Sequence, residues 1–155
     1  MKKLFAISFG ILATASLLIA DASSPVQSAQ TGKMVRQEVD LNKFQNSEVL
    51  KLAVKELSKD LPRKIDAYTT LVNVRKENLT LVYVYEINTG AKSDEAVRKE
   101  DHERMRLAVT DGTCRTSKRF LDSGISISYL YNSAKSKKKL FQFDISRKEC
   151  HYNDR

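Results

Sequence analysis

The stretch GISISYLYNSAKSKKKLFQFDISRKEC, residues 124–150, leaves the chain few options. Ile125, Ile127, Tyr129 and Tyr131 alternate with Ser126, Ser128, Leu130 and Asn132. After a basic turn, Phe141, Phe143 and Ile145 alternate with Leu140, Gln142, Asp144 and Ser146. Successive side chains of a strand point to opposite faces, so this period of two predicts two strands with one buried face. A turn centred near Ser136 pairs Tyr131 with Phe141, Tyr129 with Phe143 and Ile127 with Ile145, which places all six on that face. The aromatics then belong to a core, and the lysines between the strands cap a solvated hairpin tip.

A second strand pair precedes it. Tyr68–Arg75 is β-branched and aromatic, a turn falls around Lys76-Glu77-Asn78, and Leu79–Asn88 alternates again. Leu79, Leu81, Tyr83, Tyr85 and Ile87 share one face, and Thr80, Val82, Val84 and Glu86 share the other. Asn88-Thr89-Gly90 closes the strand. Before this pair, Ser47 is placed to cap a helix over Glu48–Asp60 that Pro62 ends, with Val49, Leu50, Ala53, Val54 and Leu57 inward. After it, Ser93 or Asp94 caps a second helix. Its first half, EAVRKEDHERMR, is almost all charge, with Glu95–Lys99 and Glu100–Arg104 at pairing distance. A more apolar part follows from Met105, with a kink at Gly112 and a stop at Gly124. The order α-β-β-α-β-β predicts an α+β fold with two helices on one face of a four-stranded antiparallel sheet. Hairpin-linked strands argue against a parallel arrangement.

Lys2 and Lys3, the apolar run Leu4–Ala20 and the small residues Ala20-Asp21-Ala22 have the pattern of an export signal cut after Ala22. The expected layout is a signal peptide at 1–22, a flexible lead-in at 23–45 and one α+β domain at 46–155. No later run is long and apolar enough for a membrane span. A bacterial periplasmic or secreted location follows.

The chain carries a net charge of +8, spread along its length except at Lys135, Lys137, Lys138 and Lys139. Those four could attract an anionic lipid or glycan surface at the envelope. A nucleic-acid grip would need free aromatics beside them, so nucleic acid is not an expected partner. Cys114 and Cys150 are the two cysteines. An even count in an oxidising compartment predicts a disulfide between the second helix and the end of the last strand. Zinc held by these cysteines with His102 and His151 is the alternative, but no closely spaced ligand pair would assemble it.

No motif of an enzyme class is present, and no cofactor or metal is implied. His102 lies among charges on a helix, where its neighbours Asp101 and Glu103 should not face it. Asp66, Glu86 and Asp144 are lone carboxylates.

Three pieces together, "LPRKIDAYTTLVNVRKENLTLVYVYEI", the Cys114 helix and "GISISYLY…LFQFDISRKEC", resemble small exported bacterial proteins of uncertain role. Those proteins are single α+β domains with a disulfide from a helix to the last strand. The resemblance spans roughly residues 46–150, rests on core and cysteine positions and carries over no ligand residue. It implies an accessory role near the envelope or a secretion system. The expected function is therefore a non-catalytic binding protein acting on an unknown protein partner. A small envelope hydrolase, or a basic protein on anionic lipid or glycan, is the alternative. On the sheet face away from the helices, Val82, Val84 and Leu130 suit strands as β-branched and apolar residues do, or lie beneath residues 30–45; the alternative is a partner patch there. Leu71 joins it if Lys76-Glu77 makes a two-residue turn and pairs Leu71 with Val82; a longer turn sends Leu71 to the helix face.

Overall fold

A computed structural model describes the backbone of residues 27–151 and the side chains of Arg36 and residues 38–151. The expected signal peptide at 1–22 lies outside them. Three helices, α1 (Gln27–Leu57), α2 (Asp94–Thr116) and α3 (Lys118–Asp122), lie with one five-stranded sheet. Its strands are β1 (Arg63–Lys64), β2 (Thr69–Glu77), β3 (Thr80–Ile87), β4 (Ser126–Ser133) and β5 (Lys139–Ile145), in spatial order β1-β2-β3-β4-β5. The fold is α+β, as the patterning predicts.

Two hairpins form as expected, β2–β3 and β4–β5, and Tyr131, Tyr129 and Ile127 face Phe141, Phe143 and Ile145. The sheet is not wholly antiparallel, however: β3 and β4 run parallel, with Tyr83 beside Tyr129 and Tyr85 beside Tyr131. The cause is the connection. One helical passage back across the sheet returns the chain to the end where β3 began, so β4 sets off in the direction of β3. A fifth strand, β1, also escapes the pattern, because two residues carry no periodicity. It pairs Arg63 with Leu71 and Lys64 with Thr70.

Helix α1 starts at Gln27, so the predicted cap at Ser47 lies in mid-helix and the expected lead-in is helical from Gln27 onward. Leu50, Val54 and Leu57 face the sheet, whereas Val49 is exposed. Asn46 Nδ2 donates to the Ser123 carbonyl at 2.7 Å, tying the helix to the corner before β4. Helix α2 is capped by the Ser93 side chain, which accepts from the Ala96 N–H. It runs past Gly112 and breaks at Ser117 instead. Thr113 and Thr116 hydroxyls donate back to the Val109 and Gly112 carbonyls there, a contact that competes with the helical ladder. Gly124, at φ 90°, closes α3 in a conformation that side chains disfavour.

The core lies between the helices and one sheet face. Leu50, Leu71, Val74, Leu81 and Ile125 gather under α1. Val97, Tyr131, Leu140, Phe141 and Phe143 gather under α2. Leu121, Ile127, Ile145 and Cys150 close the far end. Two irregularities decide membership. The β2–β3 turn falls at Asn78-Leu79, two positions beyond a Lys76-Glu77 turn, and Asn78 takes φ 53°. A bulge at Val72 then turns Leu71 onto the helix face opposite Tyr85, so Leu71 is core and not part of an outer-face patch. A second irregularity between Tyr131 and Asn132 brings Leu140 inward in the same way.

Cys114 and Cys150 form a disulfide with their Cα atoms 5.5 Å apart. It fastens the end of α2 to the segment after β5, beside an ion pair from Arg147 Nε to Asp122 Oδ1 at 2.8 Å.

Candidate functional site

The side chains flanking α2 do not close fully over the sheet. Between the first turns of α2 and the free ends of β2 and β3 lies a cleft of about 590 Å³. That size is within the usual range for ligand sites. Ile87 comes from the end of β3, and Val97 and Met105 from the inner stripe of α2. Tyr68 stands at the rim and is 67% exposed. Asp66, Lys92, Asp101 and Arg104 complete the rim.

Local structure fixes each part. Asp66 Oδ1 accepts from the Tyr68 N–H at 2.8 Å and the Thr69 N–H at 2.7 Å, turning the chain sharply from β1 into β2. Those donors hold the Asp66 carboxyl below its ordinary pKa. The tight turn leaves Tyr68 projecting. On the opposite wall Asn88 Oδ1 accepts from the Gly90 N–H at 3.1 Å. Gly90 takes φ 60° there, which glycine adopts readily.

The rim charges are satisfied within the protein. Arg104 Nη2 binds Asp101 Oδ1 at 2.7 Å, and Lys92 Nζ binds Glu100 Oε2 at 2.6 Å. These replace the predicted pairing of Glu100 with Arg104. The hydrogen bond to Glu100 raises the Lys92 pKa above its ordinary value. With Lys92 and Arg104 each held by a carboxylate and Asp66 by two backbone N–H groups, the rim keeps little free charge for a ligand, while the aliphatic floor offers area to an apolar one.

Beneath the cleft runs a tyrosine stack. Tyr85 and Tyr131 have ring centroids 5.0 Å apart, and Tyr83 and Tyr129 5.5 Å, all near parallel. Burial raises the pKa of all four, that of Tyr131 to about 12. Tyr129 Oη shares a 2.9 Å hydrogen bond with Thr113 Oγ1. Among the described residues the Tyr83 and Tyr85 hydroxyls have no hydrogen-bond partner, and no buried side-chain oxygen lacks one. Both phenols therefore open toward the surface.

The residues singled out in the sequence lie elsewhere. Val82 and Val84 sit on the sheet face away from the helices, yet are only 3% and 7% exposed. In register they lie between Arg75 and Ser128, and between Asn73 and Leu130. Glu77 Oε1 holds the Arg75 guanidinium at 2.7 Å, and the Asp144 carboxylate accepts from both Ser128 and Gln142. Leu130 is half-buried. The four lysines are exposed at the β4–β5 tip, where Lys137 reaches Glu86 at 2.8 Å and Lys139 reaches Gln142 at 3.3 Å. His102 lies against Phe143 and Phe141, with ring centroids 5.4 and 6.0 Å away. Its Nδ1 is 3.6 Å from Glu103 Oε1, a proximity the helical geometry was expected to prevent. Among the described residues no three potential metal ligands gather.

Sequence reasoning missed the cleft because its walls come from three separated segments, around residues 66–69, 87–92 and 97–105. Only the Asn88-Thr89-Gly90 turn was visible, and it reads locally as a loop; Asp66 reads as a lone carboxylate.

Comparison with known structures defines the class first. The fold is that of several small bacterial proteins. A Pseudomonas aeruginosa protein assigned as secreted superposes with TM-score 0.63 at 20% identity, over 72% of this chain and 97% of its own. The type II secretion system pilotin EpsS of Vibrio vulnificus matches with TM-score 0.61 at 11% identity, over 73% and 98%. The type II secretion system pilotin AspS of Vibrio cholerae matches with TM-score 0.58 at 14% identity, over 72% and 98%. By sequence the chain belongs to the family described as domain of unknown function DUF8479, whose model matches residues 43–141. No curated protein matches the sequence.

Proposed function

We propose that this protein is an exported, non-catalytic accessory protein that binds an apolar segment of a protein partner in the cleft beside α2, at the envelope or a secretion system. The observation that carries the reading is the cleft's composition. An aliphatic floor of Ile87, Val97 and Met105 lies beside the exposed Tyr68, inside a rim whose Lys92 and Arg104 are held in ion pairs and whose Asp66 is held by backbone N–H groups. That combination suits apolar anchor side chains. Export is supported by the leader pattern and by the disulfide. The secretion-system setting is supported by the fold shared with two pilotins. No described helix is long and apolar enough to cross a membrane. A weaker contact of Lys135, Lys138 and Lys139 with an anionic surface would add to retention and fade with salt.

The test is retention of an envelope protein on the immobilised mature chain, compared with a Tyr68→Ser variant. The reading requires a partner held by the wild type and lost by the variant. A partner held equally by both, or none at all, contradicts it.

A further inference from the structure

The face of α1 turned away from the sheet has no partner among the described elements. Leu41 is 55% exposed, Phe44 64% and Leu52 64%. Leu41 and Leu52 are eleven residues apart, which is three helical turns, so they lie on one line along the outside. The described side chains from Glu38 to Gln45 are all exposed. The helix is held to the body only from Asn46 onward, where it meets Ser123 and the core. Residues 38–45 therefore run free of the body among the described residues.

Reading this outer line at heptad spacing gives Glu38, Leu41, Gln45, Glu48, Leu52 and Lys55. The series is self-complementary when reversed. Laid antiparallel about a point between Asn46 and Ser47, Glu38 meets Lys55, Leu41 meets Leu52, and Gln45 meets Glu48. Each pair occurs twice under a two-fold axis, so the interface is closed and isologous. An acid faces a base at both ends, a leucine pair lies inside each, and an amide faces a carboxylate at the centre. In a parallel arrangement Glu38 would meet Glu38 and Lys55 would meet Lys55, so the charges select the antiparallel one. On one flank the two Phe44 rings approach each other near the axis. On the other, Val49 and Phe120, 44% and 37% exposed, line a shallow notch of about 320 Å³ and meet their copies.

We propose that α1 is the interface of a homodimer, formed by antiparallel pairing of its outer face between residues 38 and 55. The occupant is a second copy of this chain, because the charge order matches itself in reverse. The contact spans roughly 26 Å of helix, at the small end of specific interfaces, so the dimer should be reversible. The cleft beside α2 lies on another element and stays open in the dimer.

Sedimentation equilibrium of the mature chain over a wide concentration range tests this. Monomer–dimer exchange is expected, with Leu41→Asp and Leu52→Asp together giving monomer. Both residues are exposed, so the variant should keep the wild-type circular dichroism. Glu38→Lys alone should weaken the dimer roughly tenfold, since two pairs turn repulsive. Combining Glu38→Lys with Lys55→Glu should restore it. A monomer at every concentration overturns the proposal, and so does a dimer that the doubly swapped variant fails to recover.

Discussion

Tyr83 of β3 and Tyr129 of β4 stand side by side in register, their rings 5.5 Å apart and nearly parallel. The pair exists because the two hairpins join through a parallel junction, so equivalent aromatic positions meet across it. Tyr85 and Tyr131 repeat the arrangement two residues on. This double stack is the floor on which α1 and α2 rest.

The stack makes stability fall at high pH. Burial raises the Tyr131 pKa to about 12 from 10.0, and also raises that of Tyr85. A raised pKa means that the folded state favours the neutral phenol. The stabilisation is complete below the unfolded value and is lost as pH rises through the folded one. Urea midpoints should therefore decline from about pH 10 upward. Phenolate absorbance should show a group of tyrosines ionising above the ordinary phenol range.

The disulfide closes 36 residues of separation. Replacing Cys114 and Cys150 by alanine should cost about 3–4 kcal/mol in the chain-entropy picture. Chemical denaturation of the oxidised protein and of the double variant measures this. Thiol titration of the unfolded, unreduced protein should find none reactive at these two positions.

Val82 and Val84 should behave as structure. Threonine at either place puts a hydroxyl among buried neighbours and should cost about 1–2 kcal/mol each. Partner retention at saturating protein should be unchanged. Lost retention with unchanged stability would instead make this face the contact surface.

The hairpins were legible because alternation survives in both of them, and the disulfide because two cysteines leave one pairing. The parallel junction was not. Its direction depends on how many helical passages separate Ile87 from Ser126, and no local pattern of residues encodes that. Leu71 went astray for a different reason. The displaced two-residue turn alone would have left it opposite Glu86 on the outer face; the bulge at Val72 shifts the register by one residue and turns it inward. Helix α1 was read too short because its outer residues Leu41, Phe44 and Leu52 follow no core-facing stripe. The cleft could not be read at all, because Tyr68, Ile87 and Met105 meet only once the sheet and α2 have assembled.

Tyr68 matters to the binding account because it is exposed at the cleft and carries no core contact. Tyr68→Ser should leave folding stability within about 0.5 kcal/mol. It should weaken partner binding by at least roughly tenfold, as loss of an aromatic anchor does. Denaturation and a binding isotherm on the same preparation separate the two effects.

Site-specific photo-crosslinking in the native envelope tests the central claim most directly. A photoreactive residue at position 68 is compared with one at Lys148, which is exposed and remote from the cleft. The account predicts one discrete protein adduct from position 68, mapped to an apolar segment of the partner, and none from position 148. No adduct at position 68, or equal adducts at both positions, would contradict it.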